Sequence, residues 1–229
     1  MSTLALTLAP PRSRAAARVT YQVGCAVGGS LLVAGLAQIS FRLPFTPVPV
    51  TGQTLGVLLV GAAYGPGLGA ATLGLYLFWG LVGLPVFAPN TDGSHATGIH
   101  VLQTTSVTAG YLWGFVLASG SVGWLSRRGW DRSLRSSIGA MLLGSIVIYA
   151  VGVPWLYHAL PASIGGKPVT LDTALSFGLY PFVIGDTLKL LAAAGLLPIA
   201  WRALDRLRPG QTGADAPNEV DASHSHGPA

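Results

Sequence analysis

The stretch TALSFGLYPFVIGDTLKLLAAAGLLPIA, Thr173 to Ala200, decides the fold class. It is long and apolar enough to read as a membrane span. Asp186 and Lys189 are its only charged residues. A charge near the bilayer centre costs roughly 2.5–3.5 kcal/mol on insertion scales, so it is seldom retained without a use. A spacing of i, i+3 puts both groups on one face of a helix. The pair is therefore expected to face a polar cavity. The plainer alternatives are an ion pair that only packs helices together, or two charges that snorkel to the nearer surface.

The rest of the chain has the same character. It is 51% hydrophobic and only 9% charged, whereas a soluble domain carries about 25% charged residues. Its mean hydropathy is +0.57. The expected class is an all-α membrane protein lying in the lipid bilayer. The 31 Gly and 16 Pro fit that class, because small residues let membrane helices approach closely. Cys25 is the single cysteine, which excludes an internal disulfide. The net charge of +5 is no nucleic-acid signal, since the arginines lie at the ends of apolar segments.

Six apolar segments can be drawn: Val19 to Phe41, Thr51 to Tyr64, Leu68 to Phe87, Thr105 to Leu125, Ile138 to Tyr157, and Ala174 to Trp201. All read as helices, since none shows the alternation of a barrel strand. Arg12, Arg14 and Arg18 precede the first segment. Arg127, Arg128, Arg132 and Arg135 separate the fourth from the fifth, and Arg202, Arg206 and Arg208 follow the sixth. With six spans, all three clusters fall on one side, which the positive-inside rule makes the cytoplasm. Both termini are then cytoplasmic, and Arg42 and Lys167 are left outside the pattern. The expected organisation is a cytoplasmic N-terminal segment at 1–18, a six-helix membrane domain at 19–201, and a disordered cytoplasmic tail at 202–229. The first apolar run is longer than the core of a signal peptide, so no cleavage is expected.

Several polar positions stand out. In RLPFTPVPVTGQT, Arg42 to Thr54, the residues Pro44, Pro47 and Pro49 forbid a regular helix and favour an extended path. Non-helical backbone at membrane depth survives only when buried in protein or lining a cavity. The segment reads as a loop dipping into the outer mouth with Gln53 pointing inward, or as an ordinary outer loop before a helix capped at Thr51. Ala26, Ser30 and Ala34, each four apart, form a small-residue stripe for a close helix contact, within the chain or with another subunit. Asn90, Asp92, His95 and His100 share an outer loop, but their spacing matches no recognised metal-ligand pattern and surface polarity explains them better. The same holds for His224 and His226. No G-x4-G-K-[ST], G-x-S-x-G or H-E-x-x-H occurs, nor a carboxylate cluster for a divalent metal. No metal, cofactor, enzymatic activity or nucleic-acid partner is expected.

The stretch PFTPVPVTGQTLGVLLVGAAYGPGLGAATLGLYLFWGLVGLPVFA, Pro44 to Ala88, closely resembles the BioY family. These are the biotin-capturing S components of energy-coupling factor transporters. AGYLWGF (Ala109 to Phe115) and PFVIGDTLKLLAAA (Pro181 to Ala194) resemble the same family in the same order. The chain departs from it at Ile184, where a proline is usual, and in its longer, more polar outer loop. The resemblance implies a six-helix S-component fold, a cytoplasmic membrane location, and biotin beneath the outer loops. It implies that Asp186 accepts a ureido N–H, that Lys189 keeps Asp186 ionised and donates to a ligand oxygen, and that Gln53 both donates and accepts. Tyr111 would add a hydroxyl, Trp79 or Tyr76 an apolar wall, and Asn90 a further polar partner. The implied partners are a transmembrane coupling subunit, contacted through Ala26, Ser30 and Ala34, and two cytoplasmic ATPase subunits. The alternatives left open are an S component for another vitamin, a purely structural membrane subunit, and an intramembrane enzyme using Asp186 and Lys189 as acid and base.

Overall fold

The structure, a computed structural model, describes residues 3–10, 15–90, 92–166 and 168–207. Among them are eight α-helices: α1 (Leu4–Leu8), α2 (Ala15–Gln38), α3 (Gln53–Tyr64), α4 (Pro66–Leu81), α5 (Ala109–Arg127), α6 (Leu134–Ser163), α7 (Leu171–Gly178) and α8 (Val183–Leu207). Three are long and apolar enough to cross a membrane, over Ala15–Gln38, Leu134–Pro161 and Val183–Arg206. Two shorter apolar helices, α3 and α4, form a hairpin. Ile184 is 77% exposed and Leu188 65% exposed on one side of α8. Leu142 and Ile146 of α6, with Leu31 and Leu32 of α2, extend the apolar exterior. Lipid, not water, is the solvent for such a surface. The chain is a mostly helical membrane protein.

Helix α5 lies at the centre, against α3, α4 and α6, while α2 covers α3 and α4, and α8 packs on α3 and α6. The hairpin turns at Gly65, whose φ of +82° is left-handed backbone that favours glycine. Pro66 then starts α4, where its missing N–H costs nothing. At Gly61 a Cβ would sit 2.7 Å from Ser119 O, so the absent side chain lets α3 touch the backbone of α5.

The structure departs from the expected segments at one place and adds detail at three. The sixth apolar segment is two helices, α7 and α8, broken over 179–182. Pro181 lacks an N–H and biases the residue before it away from helix, so the break has a local cause. Helix α8 also runs on to Leu207, past the expected boundary at Trp201. The N-terminal segment holds the short helix α1, pinned where the Tyr21 hydroxyl donates to Ala5 O at 3.1 Å. Finally, the proline loop is closed by a two-stranded antiparallel ribbon, β1 (Ser40–Phe41) with β2 (Val50–Thr51), which brings its two ends together. The tail beyond Leu207, with His224 and His226, lies outside the described residues.

Of the two contacts left open for the small-residue stripe, the described residues show the internal one. Ser30 is fully buried and Ala34 nearly so, while Ala26 is half-buried. The Trp79 indole N–H donates to Ser30 Oγ at 3.1 Å, so the stripe seats α4 inside the chain. The face of α2 left open carries Gly24, Gly28, Leu31, Leu32 and Gly35 instead.

At the end of the bundle where α5 joins α6, Asp131 is fully buried. The Trp201 indole N–H donates to its Oδ2 at 2.7 Å, and the Arg132 guanidinium lies 4.4 Å above the Trp201 ring. This anchors the far end of α8 to the α5–α6 link. Burial raises the Asp131 carboxyl above the usual carboxylate range, and the Trp201 bond offsets this only in part.

Candidate functional site

The opposite end of the bundle opens into a cavity of about 350 Å³. That is within the usual range of roughly 300–1,000 Å³ for small-molecule sites. It lies where α3, α5 and α8 begin, so the positive ends of three helix dipoles border it. Loops finish it: Pro47, Val48 and Pro49 from the proline segment, Ala88 and Asn90 after α4, and Thr105 to Thr108 before α5. The proline loop is tied across the mouth, where the Thr46 hydroxyl donates to Phe177 O at 2.6 Å. The Trp155 indole likewise holds Ser106 O at 3.1 Å. Phe87, Leu112, Phe115, Ile148 and Phe182 give the cavity apolar walls.

The break before α8 sets the chemistry. It places Asp186 in the first helical turn, not in the middle of a span, and the positive end of a helix favours a carboxylate there. Lys189 Nζ donates to Asp186 Oδ1 at 2.6 Å, the single ion pair among the described residues. The Thr54 hydroxyl donates to the same oxygen at 3.1 Å and accepts from Lys189 at 3.3 Å. The Tyr149 hydroxyl, from α6, donates to Asp186 Oδ2 at 2.5 Å. An ionised carboxylate offers about four lone-pair sites and an ammonium three N–H groups. Three acceptor sites and two donors are thus used. One acceptor position on Asp186 and one donor on Lys189 are left, and both residues line the cavity.

Gln53, the first residue of α3, is also at the wall. Its Nε2 donates to the Tyr76 hydroxyl at 2.6 Å, and its Oε1 accepts from the Thr51 hydroxyl at 2.9 Å. Half of its amide capacity remains for a ligand.

Among the expected site residues, Gln53, Asn90, Tyr111, Asp186 and Lys189 line this one cavity. The Tyr111 hydroxyl is committed to Gly178 O at 2.8 Å, and its ring meets Tyr149 edge-on at 6.2 Å. Asn90 Oδ1 accepts from Arg42 Nη2 at 3.1 Å, and its Nδ2 donates to Ser94 Oγ at 3.0 Å. The apolar wall expected of Trp79 or Tyr76 comes from other residues. Trp79 points to Ser30, and Tyr76 is fully buried behind Gln53, its hydroxyl donating a hydrogen bond to Val86 O at 3.2 Å. Neither lines the cavity. Tyr149, Thr54 and Arg42 line it and were not singled out from the sequence. A Tyr or Thr in an apolar run gives little signal, but Arg42 had one: it broke the one-sided pattern of the arginines.

The outer-loop histidines are spoken for individually, His95 Nδ1 with Phe87 O at 2.9 Å and His100 Nδ1 with Gln103 Oε1 at 3.2 Å. Hydrogen bonds from Ser94 hold the Asp92 carboxyl below the usual range, with a smaller contribution from the charge of Arg42.

The BioY family profile matches residues 10–206. The chain is 32% identical to "Biotin transporter BioY" of Rhodobacter capsulatus over 78% of its own length and 93% of that protein. It is 41% identical to "Probable biotin transporter BioY" of Lysinibacillus sphaericus over 52% of its own length and 57% of that protein. The crystal structure of the S-component for biotin from an ECF-type ABC transporter superposes with a TM-score of 0.67, covering 85% of this chain and 95% of that one at 21% identity, a likeness of fold. A profile match over residues 10–206, with a relative 32% identical over 78% of this chain, places this chain in the BioY family.

Proposed function

We propose that this protein captures biotin for uptake, as the substrate-binding S component of an energy-coupling factor transporter. The observation that carries the reading is the acceptor and donor capacity left unused on Asp186 and Lys189, neighbours that both line a mostly apolar cavity. A cyclic urea presents the complementary N–H and C=O. Asp186 takes the ureido N–H, and because the acceptor is ionised the bond is short and directional. Lys189 donates to the ureido oxygen. Tyr149 and Thr54 hold the carboxylate, so it need not rotate when the ligand arrives. Gln53 offers its remaining amide groups to the same polar head, and Phe115, Ile148 and Phe182 face the apolar ring system.

The names of the curated relatives and the family match support this reading. In it, α2 to α6 and the α7–α8 pair make six passes through the bacterial cytoplasmic membrane, with both termini cytoplasmic and the cavity opening outward. The chain brings no nucleotide motif of its own. Energy then comes from a transmembrane coupling subunit and two cytoplasmic ATPases. Biotin leaves the site chemically unchanged, so the protein is not an enzyme.

Equilibrium binding of radiolabelled biotin to the purified protein in detergent tests this, with Asp186→Asn and Lys189→Ala alongside. The parent binds, and each variant loses about tenfold or more, the usual worth of a hydrogen bond to a charged group. A well-folded parent without binding overturns the biotin reading. Binding that survives both changes moves the polar head away from this pair.

A further inference from the structure

The cavity has a second polar pole that the polar head does not use. Arg42 lines it, half-buried, on the segment that leaves β1. Its guanidinium is oriented by Pro89 O, which accepts from Nη2 at 3.2 Å and from Nε at 3.4 Å, and by Asn90 Oδ1 at 3.1 Å. Both N–H groups of Nη1 are without an acceptor among the described residues. Among the described residues no carboxylate forms an ion pair with Arg42. Asp92 is near enough to feel its charge, but it is exposed, holds Ser94 and forms no ion pair with it.

The charged groups lining the cavity are Arg42, Asp186 and Lys189. Asp186 and Lys189 cancel each other at 2.6 Å. The net positive charge of the lining is therefore that of Arg42. A positioned guanidinium carries a permanent charge, and the two N–H groups left on Nη1 can donate to a carboxylate in a charge-assisted bond. The sequence pattern points the same way, since Arg42 breaks the one-sided distribution of arginines and a residue that breaks it has a local reason to be there.

We propose that Arg42, held by Asn90 and Pro89, is the specificity residue for the ligand's anionic tail. Asn90 acts through it as a positioning residue. The inference rests on the biotin reading for the identity of the tail, which is then the free valerate carboxylate. The site discriminates against the same ring system when the tail is neutral.

The test is competition for radiolabelled biotin binding to the full-length protein in detergent, using biotin, biotinamide and biotin methyl ester. The parent prefers biotin over both neutral compounds by about tenfold or more, the size expected of a charge-assisted pair. Arg42→Gln removes that preference by weakening biotin while leaving biotinamide within about threefold. Arg42→Lys, which keeps the charge and loses the planar fork, retains part of it. If biotin and biotinamide weaken together in Arg42→Gln, the residue only shapes the loop and the proposal is overturned. It is also overturned if the preference is unchanged. A parent that binds none of the three compounds overturns the biotin reading itself, an outcome distinct from either of these.

Discussion

The Tyr149 hydroxyl reaches Asp186 from another helix, and its removal is the smallest change that tests how the carboxylate is held. In Tyr149→Phe the ring and its edge-on contact with Tyr111 remain, so the fold persists. Asp186 keeps Lys189 and Thr54 but can rotate toward water. One hydrogen bond to a charged group is worth about 1.5–3 kcal/mol when lost outright. Because Asp186 Oδ2 can re-pair with ligand or water, the expected loss in biotin affinity is at the lower end, about tenfold. Isothermal titration of the variant against the parent measures it, and an unchanged affinity would remove Tyr149 from the site. At this scale the sequence was unevenly legible. Two charges in an apolar run are conspicuous because each is costly there. Tyr149 and Thr54 are not, since a threonine hydroxyl can bond its own helix backbone at little cost and a tyrosine in an apolar run reads as one more packing aromatic. Trp79 and Tyr76 resemble wall residues by type, yet helices that are apolar all round give no period from which to tell their inward face.

Among the elements, α8 carries the binding pair at one end and the Trp201–Asp131 anchor at the other. The anchor has a pH signature. Burial lifts the Asp131 carboxyl above its unfolded value, so the folded chain holds this proton where the unfolded chain has lost it. Stability from this group is therefore greatest below the ordinary carboxylate value, falls as pH rises through the interval up to the folded value, and is level beyond. Asp131→Asn keeps an acceptor for the indole and removes the titration. Thermal unfolding in detergent between about pH 4 and 7 should show a downward slope in the parent that flattens in the variant; parallel curves would contradict the burial argument. The break between α7 and α8 was within reach of the sequence, because Pro181 sits at it. It stayed hidden because hydropathy runs unbroken across 173–200, and hydropathy alone reads that as one span. The β1–β2 ribbon has only two residues per strand, too short for any alternation to register.

For the whole molecule, the arginine clusters predict sidedness. The single native cysteine allows a clean labelling test in a Cys25→Ser background. A cysteine at His100, exposed on the cavity side, should react with a membrane-impermeant maleimide in intact cells. One at Arg135, exposed beside the α5–α6 link, should react only after permeabilisation. The reverse pattern would invert the orientation, and labelling of both in intact cells would break the six-pass arrangement. That the chain is a mostly helical membrane protein follows from composition, which averages over many residues. The cavity does not, since its shape depends on close approaches such as Gly61 on Ser119 that no single segment announces.

The bonds of the site also have an order in time. Thr54 and Asp186 are 132 residues apart in the chain, and Thr46 and Phe177 are 131 apart. At a synthesis rate of about 5–20 residues per second, roughly ten seconds separate the two halves. During that wait Gln53 needs a partner, and Tyr76, 23 residues later, supplies one within its own hairpin. Asp186 then enters the membrane with Lys189 already three residues away on the same helix. Each costly group thus travels with a nearby companion, and the long-range bonds that complete the cavity form after the last helix has been made. A nascent chain that stops short of α8 is inserted and locally satisfied, yet lacks the bonds that Thr54 and Tyr149 make to Asp186, so the cavity is complete only once its last helix has been made.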